Sequence, residues 1–262
     1  MIGDIKQINV VKIGGNVIDS ADALERFVSD FAKLPAPKML IHGGGKLATR
    51  LSEKLEIPTQ MIDGRRVTDR DTLDVVTMVY AGLLNKQIVA KLQAAGCNAI
   101  GLSGADANVI PAVRRSPVPV DFGFVGDIDA EKINTDFIAV LLRAGVTPVF
   151  CAITHDAEGS LLNSNADSVA SAVAVASAAI APTYMHFCFE KPGVMRDMND
   201  DSSIIKEITP DTYCKLREEG VVNKGMIPKI DNAFRAVEAG VQSVTIKHSD
   251  NLLSDFGTVI KL

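Results

Sequence analysis

The sequence lacks the cysteine spacing of a disulfide or zinc framework. Its 262 residues include four cysteines, Cys97, Cys151, Cys188 and Cys214, which lie far apart and form no CxxC motif. This excludes a zinc ribbon and a disulfide-dense secreted domain. The first seven residues are too polar for the apolar core of a signal peptide. We therefore expect a cytoplasmic protein.

Long apolar runs and an excess of positive charge are also missing. The one long uncharged run, residues 168–185, consists mostly of Ala and Ser and contains Pro182, which predicts a buried helix and then a strand instead of a membrane span. Lys and Arg total 27 against 32 for Asp and Glu, a net charge of −5, which disfavours broad contact with nucleic acid. We expect no membrane partner and no nucleic-acid partner.

The familiar nucleotide-binding signatures are absent as well. The sequence contains no GxxxxGK[ST], no GxGxxG after its first strand, and neither HRD nor DFG. These absences exclude a P-loop NTPase and a protein kinase, and they weaken an NAD-linked oxidoreductase. Any nucleotide must therefore bind through another fold.

What the sequence does contain is a regular alternation of strand and helix patterns. Apolar runs predict strands at residues 8–13, 38–41, 99–102, 147–152, 183–189 and 243–247. Helical spacing predicts helices at 21–34, 46–55, 130–144, 166–179 and 230–239, and one or two helices within 71–95. Residues 114–129, rich in Pro and Gly, break the alternation and suggest a hairpin insertion. This order predicts a mainly parallel sheet covered on both faces, with a lobe boundary near residues 181–182.

Glycines follow three of the early strands, at Gly14-Gly15, at residues 43–45 and at Gly104. Each loop alone is most simply a tight turn. Together, at one edge of a parallel sheet, they favour a site for phosphate or carboxylate, because glycine lets backbone N–H groups approach an anion.

Three charged residues stand out beside these loops. Lys12 interrupts an apolar strand, so it either pairs within a site or sits at a sheet edge with its ammonium in water. Lys229 lies at a helix start, where it opposes the dipole and requires a negative partner unless it is solvated. Asp167 begins the Ala-rich helix and could be an ordinary cap. Asn163 and Asn165 could likewise be ordinary turn residues.

Seven segments, in order along nearly the whole chain, resemble motifs of the N-acetylglutamate kinases of the amino acid kinase family. They are VKIGGN (11–16), IHGGGK (41–46), GRRVT (64–68), GLLNK (82–86), LSGADAN (102–108), LNSNAD (162–167) and GMIPK (225–229). The resemblance implies an α/β fold, a three-layer α/β/α sandwich around a mainly parallel sheet. It also implies an N-terminal lobe, 1–181, for an acylated amino acid and a C-terminal lobe, 182–262, for ATP.

The implied reaction is the phosphorylation of the γ-carboxylate of an N-acyl-L-glutamate by ATP, with Mg²⁺ carried by the nucleotide, in arginine biosynthesis. By resemblance, Lys12 and Lys229 are catalytic and Asp167 holds them. The substrate-binding residues would be Gly44, Gly45, Arg66, Asn163 and Asn165. The ATP-binding residues would be Gly14, Gly15, Glu190, Lys191, Gly193, Val194, Val222 and Asn223.

Two departures from the family pattern leave alternatives open. Residues 189–194, FEKPGV, carry Glu190 and Lys191 where the family has Asp and an apolar residue, which admits a non-catalytic sensor of amino acids or nucleotides. Arg65 adds a cation beside Arg66, so the acyl group could be N-succinyl instead of N-acetyl unless Arg65 faces solvent. Another carboxylate or amino acid kinase of the same family is a further alternative. Because the first strand begins near Ile8, we expect a homodimer without the extra N-terminal helix of hexameric relatives.

Overall fold

A computed structural model describes residues 4–62, 64–197, 199–222 and 226–262. Within these residues the strands are β1 (Ile8–Ile13), β2 (Lys38–His42), β3 (Met61–Ile62), β4 (Arg65–Arg66), β5 (Ala99–Leu102), β6 (Ala112–Arg114), β7 (Gly126–Ile128), β8 (Thr147–Cys151), β9 (Ile153–His155), β10 (Leu161–Asn163), β11 (Thr183–Phe189), β12 (Glu207–Ile208), β13 (Ser243–His248) and β14 (Thr258–Ile260).

The α-helices of the same residues alternate with these strands. They are α1 (Gly15–Asp19), α2 (Ala21–Lys33), α3 (Gly45–Lys54), α4 (Arg70–Thr77), α5 (Asn85–Ala94), α6 (Thr135–Arg143), α7 (Ala166–Ser177), α8 (Pro210–Glu218) and α9 (Ile227–Glu238). A π-helical segment, Met78–Leu84, joins α4 directly to α5. None of the helices in the described residues is long and apolar enough to cross a membrane.

One eight-stranded sheet forms the centre of the molecule, in the order β12-β14-β13-β11-β1-β2-β8-β5. Every pairing is parallel except that between β13 and β14. The strands before residue 181 form one half of this sheet, and the strands after it form the other. Helices α7 and α9 pack together on one side, and α2 and α5 pack together on the other. The predicted three-layer α/β/α fold with a mainly parallel sheet is confirmed.

The central strand β1 explains why the sequence folds in this way. Ile8, Val10, Val11 and Ile13 are completely buried, because parallel strands covered on both faces have no solvent side. Helix α7 packs over β1, β2 and β11. Its many alanines are small, so the helix axis can approach the sheet closely.

Most predicted elements agree with the structure, and two differ. The helix predicted at 130–144 is a short 3₁₀ turn, Ala130–Lys132, followed by α6, because Asn134 caps a new helix through a bond from the Phe137 N–H. The helix predicted from residue 230 begins earlier, at Ile227. The predicted insertion is an antiparallel hairpin of β6 and β7.

Candidate active site

Two lysines from different elements meet on one carboxylate above the sheet. The Lys12 Nζ lies 2.6 Å from Oδ1 of Asp167, and the Lys229 Nζ donates to Oδ2 at 2.8 Å. Lys12 comes from β1, Asp167 from the first turn of α7, and Lys229 from the first turn of α9. Each carboxylate oxygen therefore holds one ammonium group.

Lys12 is not at a sheet edge, since β1 is bordered on both sides by β2 and β11. Its side chain is only 12% exposed. Burial alone would raise the pKa of Asp167, but the positive charges of Lys12 and Lys229 outweigh burial and hold that pKa well below its usual range. Asp167 is therefore ionised at neutral pH, and the trio carries one net positive charge.

Asn165 occupies the cap position of α7, so the alternative that Asp167 is an ordinary helix cap does not hold. The Asn165 side-chain oxygen accepts from the backbone N–H groups of Asp167 and Ser168, at 2.8 and 3.2 Å. Capping by Asn165 satisfies the helix start and leaves the Asp167 carboxylate free to face the lysines.

A cavity of about 240 Å³ opens beside the Lys12–Asp167 pair. Its lining includes the backbone at Gly15, Gly43, Gly44 and Gly45, at the carboxyl ends of β1 and β2. Helices α3 and α7 begin at this cavity, so their positive dipole ends point toward it. Helix α3 has no side-chain cap, which leaves N–H groups of its first turn unpaired. Such a concave surface suits an anionic ligand.

A second, larger cavity of about 810 Å³ adjoins the first and extends to Lys229 and the β6–β7 hairpin. Gly64, Arg65, Arg115 and Asn165 line both cavities. The described charged residues that line the two are Lys12, Arg65, Arg66, Arg115, Asp127, Asp167 and Lys229. Five cations face two carboxylates there, although the whole chain has a net charge of −5.

Arg66 lies at the cavity wall with its guanidinium fixed in place. It donates through Nη2 to the Gly45 carbonyl at 3.0 Å and to Thr49 Oγ1 at 2.7 Å, and through Nη1 to Thr59 Oγ1 at 3.3 Å. Asn163, also at the wall, donates from Nδ2 to Thr68 Oγ1 at 3.0 Å. Both predicted substrate residues are therefore oriented by neighbours before any ligand binds.

Apart from the glycine turn after β1, the predicted nucleotide residues lie elsewhere along the same sheet edge. The loop that carries Glu190, Lys191, Gly193 and Val194 follows β11, the neighbour of β1. Glu190 Oε1 accepts from Asn16 Nδ2 at 2.6 Å, which connects this loop to the glycine turn after β1. These four residues line neither of the two cavities.

Gly193 and Val194 are held against β14. The Val194 N–H donates to Thr258 Oγ1 at 2.8 Å, and a Cβ on Gly193 would approach that oxygen to 2.6 Å. Of the other predicted nucleotide residues, Gly14 donates its N–H to the Cys188 carbonyl of β11. The side chain of Val222 is buried. Asn223 lies outside the described residues.

Sequence reasoning missed two cavity residues, Tyr80 and Arg115. Tyr80 comes from the π-helical segment, and burial raises the pKa of its phenol. Arg115 sits in the hairpin loop, where its Nε lies 3.0 and 3.1 Å from the two carboxylate oxygens of Asp127. The adjacent arginines at the start of the predicted insertion were the available signal for Arg115. Nothing in the helical pattern around Tyr80 distinguishes it from a core residue.

The geometry agrees with comparisons to known proteins. The profile described as "Amino acid kinase family" matches residues 7–248. The chain belongs to the amino acid kinase family. It is 51% identical to an acetylglutamate kinase of Cytophaga hutchinsonii, over 95% of this chain and 94% of that protein, and 48% identical to one of Phocaeicola vulgatus, over 98% and 99%. The solved structure of smu.665 from Streptococcus mutans UA159 superposes with a TM-score of 0.79 at 31% identity, covering 97% of this chain and 98% of that one.

Proposed function

We propose that this protein is an acetylglutamate kinase, which transfers the γ-phosphoryl group of ATP to the γ-carboxylate of N-acetyl-L-glutamate in arginine biosynthesis. The observation that carries the proposal is the Asp167 carboxylate with one lysine on each oxygen, next to a cavity whose charged lining residues are all cations. The relatives that match over nearly their whole length are named acetylglutamate kinases, which supports the same activity.

This reaction requires no general base. The pKa of a free glutamate side-chain carboxyl is about 4.3, so the nucleophile is already ionised at neutral pH. A carboxylate oxygen bonds to the γ-phosphorus while the bond from that phosphorus to the β–γ bridging oxygen breaks. The barrier is mainly electrostatic, because an anion approaches an anion. Lys12 and Lys229 supply the opposing charge, and Asp167 fixes their positions.

The two halves of the sheet divide the binding work in this proposal. Residues 1–181 bind the acyl-glutamate, with Arg66 and Asn163 near its α-carboxylate and Asn165 and the amides of Gly44 and Gly45 beside the reacting groups. Residues 182–262 bind ATP through the loop after β11 and the segment that contains Val222, with the glycine turn after β1 at its phosphates. The bond between Asn16 and Glu190 supports this arrangement, because it places that turn beside the nucleotide loop.

Mg²⁺ would enter with the phosphates of ATP. In the described part of the chain no group of three or more His, Cys, Asp or Glu residues could hold a metal ion. Asp167, the carboxylate of the lysine trio, already has a lysine at each oxygen. The donor set therefore does not fit a protein-held ion at the trio.

We also propose that the protein is a cytoplasmic homodimer. The thiols of Cys97, Cys151, Cys188 and Cys214 are all unpaired, as in a reducing compartment. Met78 and Leu83, on the π-helical segment, are 54% and 47% exposed, and a second copy of the chain could cover them. Light scattering after size-exclusion chromatography would give twice the 27.9 kDa chain mass for a dimer.

ADP release tests the function directly. Purified protein with Mg-ATP is assayed with N-acetyl-L-glutamate, L-glutamate and L-aspartate, and hydroxylamine traps any acyl phosphate. Turnover with the acylated glutamate alone supports the kinase. Turnover with an unacylated amino acid points to another carboxylate kinase of the family. No turnover in folded protein points to a sensor.

N-succinyl-L-glutamate is a second candidate substrate, favoured by the position of two arginines. Arg65 and Arg115 line both cavities, and the buried Arg115 Nη1 has no hydrogen-bond partner in the described residues. A succinyl carboxylate would accept from that nitrogen, whereas a neutral acetyl group offers no charge. A preference above tenfold for the succinyl substrate would favour this candidate, and a preference below twofold would count against it.

A further inference from the structure

His42 occupies an unusual place in the site. It ends β2 directly before the three glycines of the cavity, and its side chain is completely buried. Its Nδ1 lies 2.8 Å from the carbonyl oxygen of Gly43, and its Nε2 lies 3.1 Å from Nδ2 of Asn85. Gly43 and its neighbours line the cavity, whereas His42 does not. The imidazole therefore lies behind the glycine loop and does not face the cavity.

The hydrogen-bond partners determine the position of the imidazole proton. A carbonyl oxygen can only accept, so Nδ1 must carry the hydrogen that it donates to Gly43. Nε2 then has a lone pair, which accepts from the Asn85 amide. Burial is the main cause that lowers the pKa of His42, to about 4, so the ring is neutral at pH 7. A neutral Nδ1–H tautomer satisfies both contacts.

Asn85 is itself held firmly at the start of α5. It is 1% exposed, and its Nδ2 donates to the Val149 carbonyl of β8 at 2.9 Å as well as to His42. Its Oδ1 accepts from Lys86 Nζ at 3.2 Å, and that ammonium also donates to the Gly101 carbonyl of β5 at 2.9 Å. A Cβ on Gly101 would overlap Oδ1 of Asn85. The network therefore connects the imidazole at the end of β2 to two further strands, β8 and β5.

The orientation of the Gly43 carbonyl determines the direction of the Gly44 N–H, which belongs to the same peptide group. In a planar trans peptide the C=O and the following N–H point in opposite directions. Because the Gly43 carbonyl points to the imidazole, the Gly44 N–H points away from it. None of the described residues accepts a hydrogen bond from that N–H. Gly44 lines the cavity that Lys12 also lines, so the free N–H is available to an anion bound there.

We propose that His42, held by Asn85, is a positioning residue for phosphoryl transfer. It orients the Gly44 N–H toward the phosphoryl group that is transferred. The proposal rests on the proposed kinase function. It assigns to His42 no contact with substrate and no proton transfer. Donors that are oriented before the reaction stabilise developing charge at no reorganisation cost, which is why the orientation of a single N–H matters.

Two substitutions separate positioning from simple packing. The amide nitrogen of asparagine can take the place of Nδ1, so His42→Asn keeps a donor for Gly43. The amide of glutamine reaches the place of Nε2, so His42→Gln keeps the contact with Asn85 and loses the bond to Gly43. We expect kcat within about threefold of wild type for His42→Asn and about ten- to a hundredfold lower for His42→Gln, below the loss seen when an oxyanion donor is deleted.

KM for the acyl-glutamate should change less than threefold in both variants, because ground-state contacts persist. His186→Asn and His186→Gln are matched controls, since His186 is also a histidine of the central sheet and bonds Asn9, not the glycine loop. The melting temperature of each variant verifies folding. Equal kcat for the two His42 variants, or a loss matched by the His186 pair, would overturn the proposal.

The wild-type assay distinguishes failure of the inference from failure of the function. If the wild-type protein turns over no N-acyl-glutamate, the proposed function is wrong. If the wild type is active and His42→Gln has the same kcat, only this inference is wrong. If His42→Gln does not fold, nitrogen-15 NMR of the wild type replaces it. The proposal requires the Nδ1–H tautomer of His42, and requires the Gly44 amide to shift when Mg-ADP with aluminium fluoride binds. An Nε2–H tautomer or an unmoved Gly44 amide would contradict it.

Discussion

The ammonium group of Lys12 lies 2.6 Å from the carboxylate of Asp167, joining a strand to a helix start that is 155 positions away in the sequence. The same carboxylate receives Lys229 on its other oxygen. A buried strand lysine is costly when it is unpaired, and Asp167 offsets that cost. Because two cations share one anion, a net positive charge remains for a phosphoryl group.

Removal of either lysine should impair turnover far more than folding. Lys12→Ala and Lys229→Ala each remove one electrostatic contact worth ~3–4 kcal/mol in the transition state. We expect kcat to fall about a hundredfold or more in each variant. Steady-state kinetics measures the loss, and Lys91→Ala, which removes an exposed ion pair with Glu25, is the control. Near-normal turnover in either site variant would contradict the assignment.

Asp167→Asn should lower stability in a pH-dependent manner. The lysines hold the pKa of Asp167 below its unfolded value, so its contribution to stability is fully present above about pH 4 and is lost as the pH falls through the folded pKa. At pH 7 the loss should be about 3 kcal/mol, at the lower end for a broken buried pair because Lys229 is about a third exposed.

Thermal unfolding of wild type and Asp167→Asn at pH 7 and pH 3 measures this effect. The difference in melting temperature between wild type and Asp167→Asn should be smaller at pH 3 than at pH 7. Asp250→Asn breaks the exposed pair with Arg26 and is the control, with little change at either pH. An Asp167→Asn difference that stays constant or widens at pH 3 would contradict the linkage.

Two glycines of the site should respond differently to an added methyl group. A Cβ on Gly44 would overlap Leu84 and approach the Tyr80 ring to 2.9 Å, whereas a Cβ on Gly15 meets nothing within 4 Å. Gly44→Ala should therefore lose about 1–3 kcal/mol of stability through overpacking. Gly15→Ala should change it by less than about 1 kcal/mol. Denaturant unfolding without ligand compares them, and equal losses would argue against the close approach of the π-helical segment to the loop.

Arg66 should govern binding more than chemistry. Arg66→Lys cannot reproduce the planar fork that bonds Gly45 and Thr49, so its charge becomes misplaced. A lost charged hydrogen bond costs about 1.5–3 kcal/mol, which predicts KM for the acyl-glutamate raised at least about tenfold. The neighbouring Arg65→Lys is the control and should leave KM for the acetyl substrate nearly unchanged. A fall in kcat alone would place Arg66 in the chemical step instead.

The sequence predicted six of the eight strands of the central sheet and most of the longer helices, but not β12, β14, α1 or α8. Mainly apolar runs mark β1 and β11 with their observed bounds, because strands inside a parallel sheet that is covered on both faces are apolar along most of their length. The apolar spacing of residues 71–95 gave no sign of the π-helical segment within it, since the extra residue per turn depends on packing.

The candidate site was less accessible from sequence. Lys12 and Lys229 became candidates from their awkward local positions, and resemblance paired them with Asp167. The contact of His42 with Asn85 joins residues 43 positions apart, and depends on how β2 meets the start of α5. No local pattern encodes such a contact, because it arises from the sheet order. Asn165 illustrates the same limit, since only the structure distinguishes which of two polar residues caps α7.

The most direct test of the central claim follows one oxygen atom. N-acetyl-L-glutamate labelled with oxygen-18 in its γ-carboxylate is incubated with Mg-ATP and the protein, and hydroxylamine cleaves the product at its acyl carbon. Mass spectrometry then examines the released phosphate. Carboxylate attack on the γ-phosphorus predicts phosphate that carries one oxygen-18 atom, formed by wild type and nearly absent with Lys229→Ala. Phosphate without the label, or no hydroxamate from folded wild-type protein, would contradict the account.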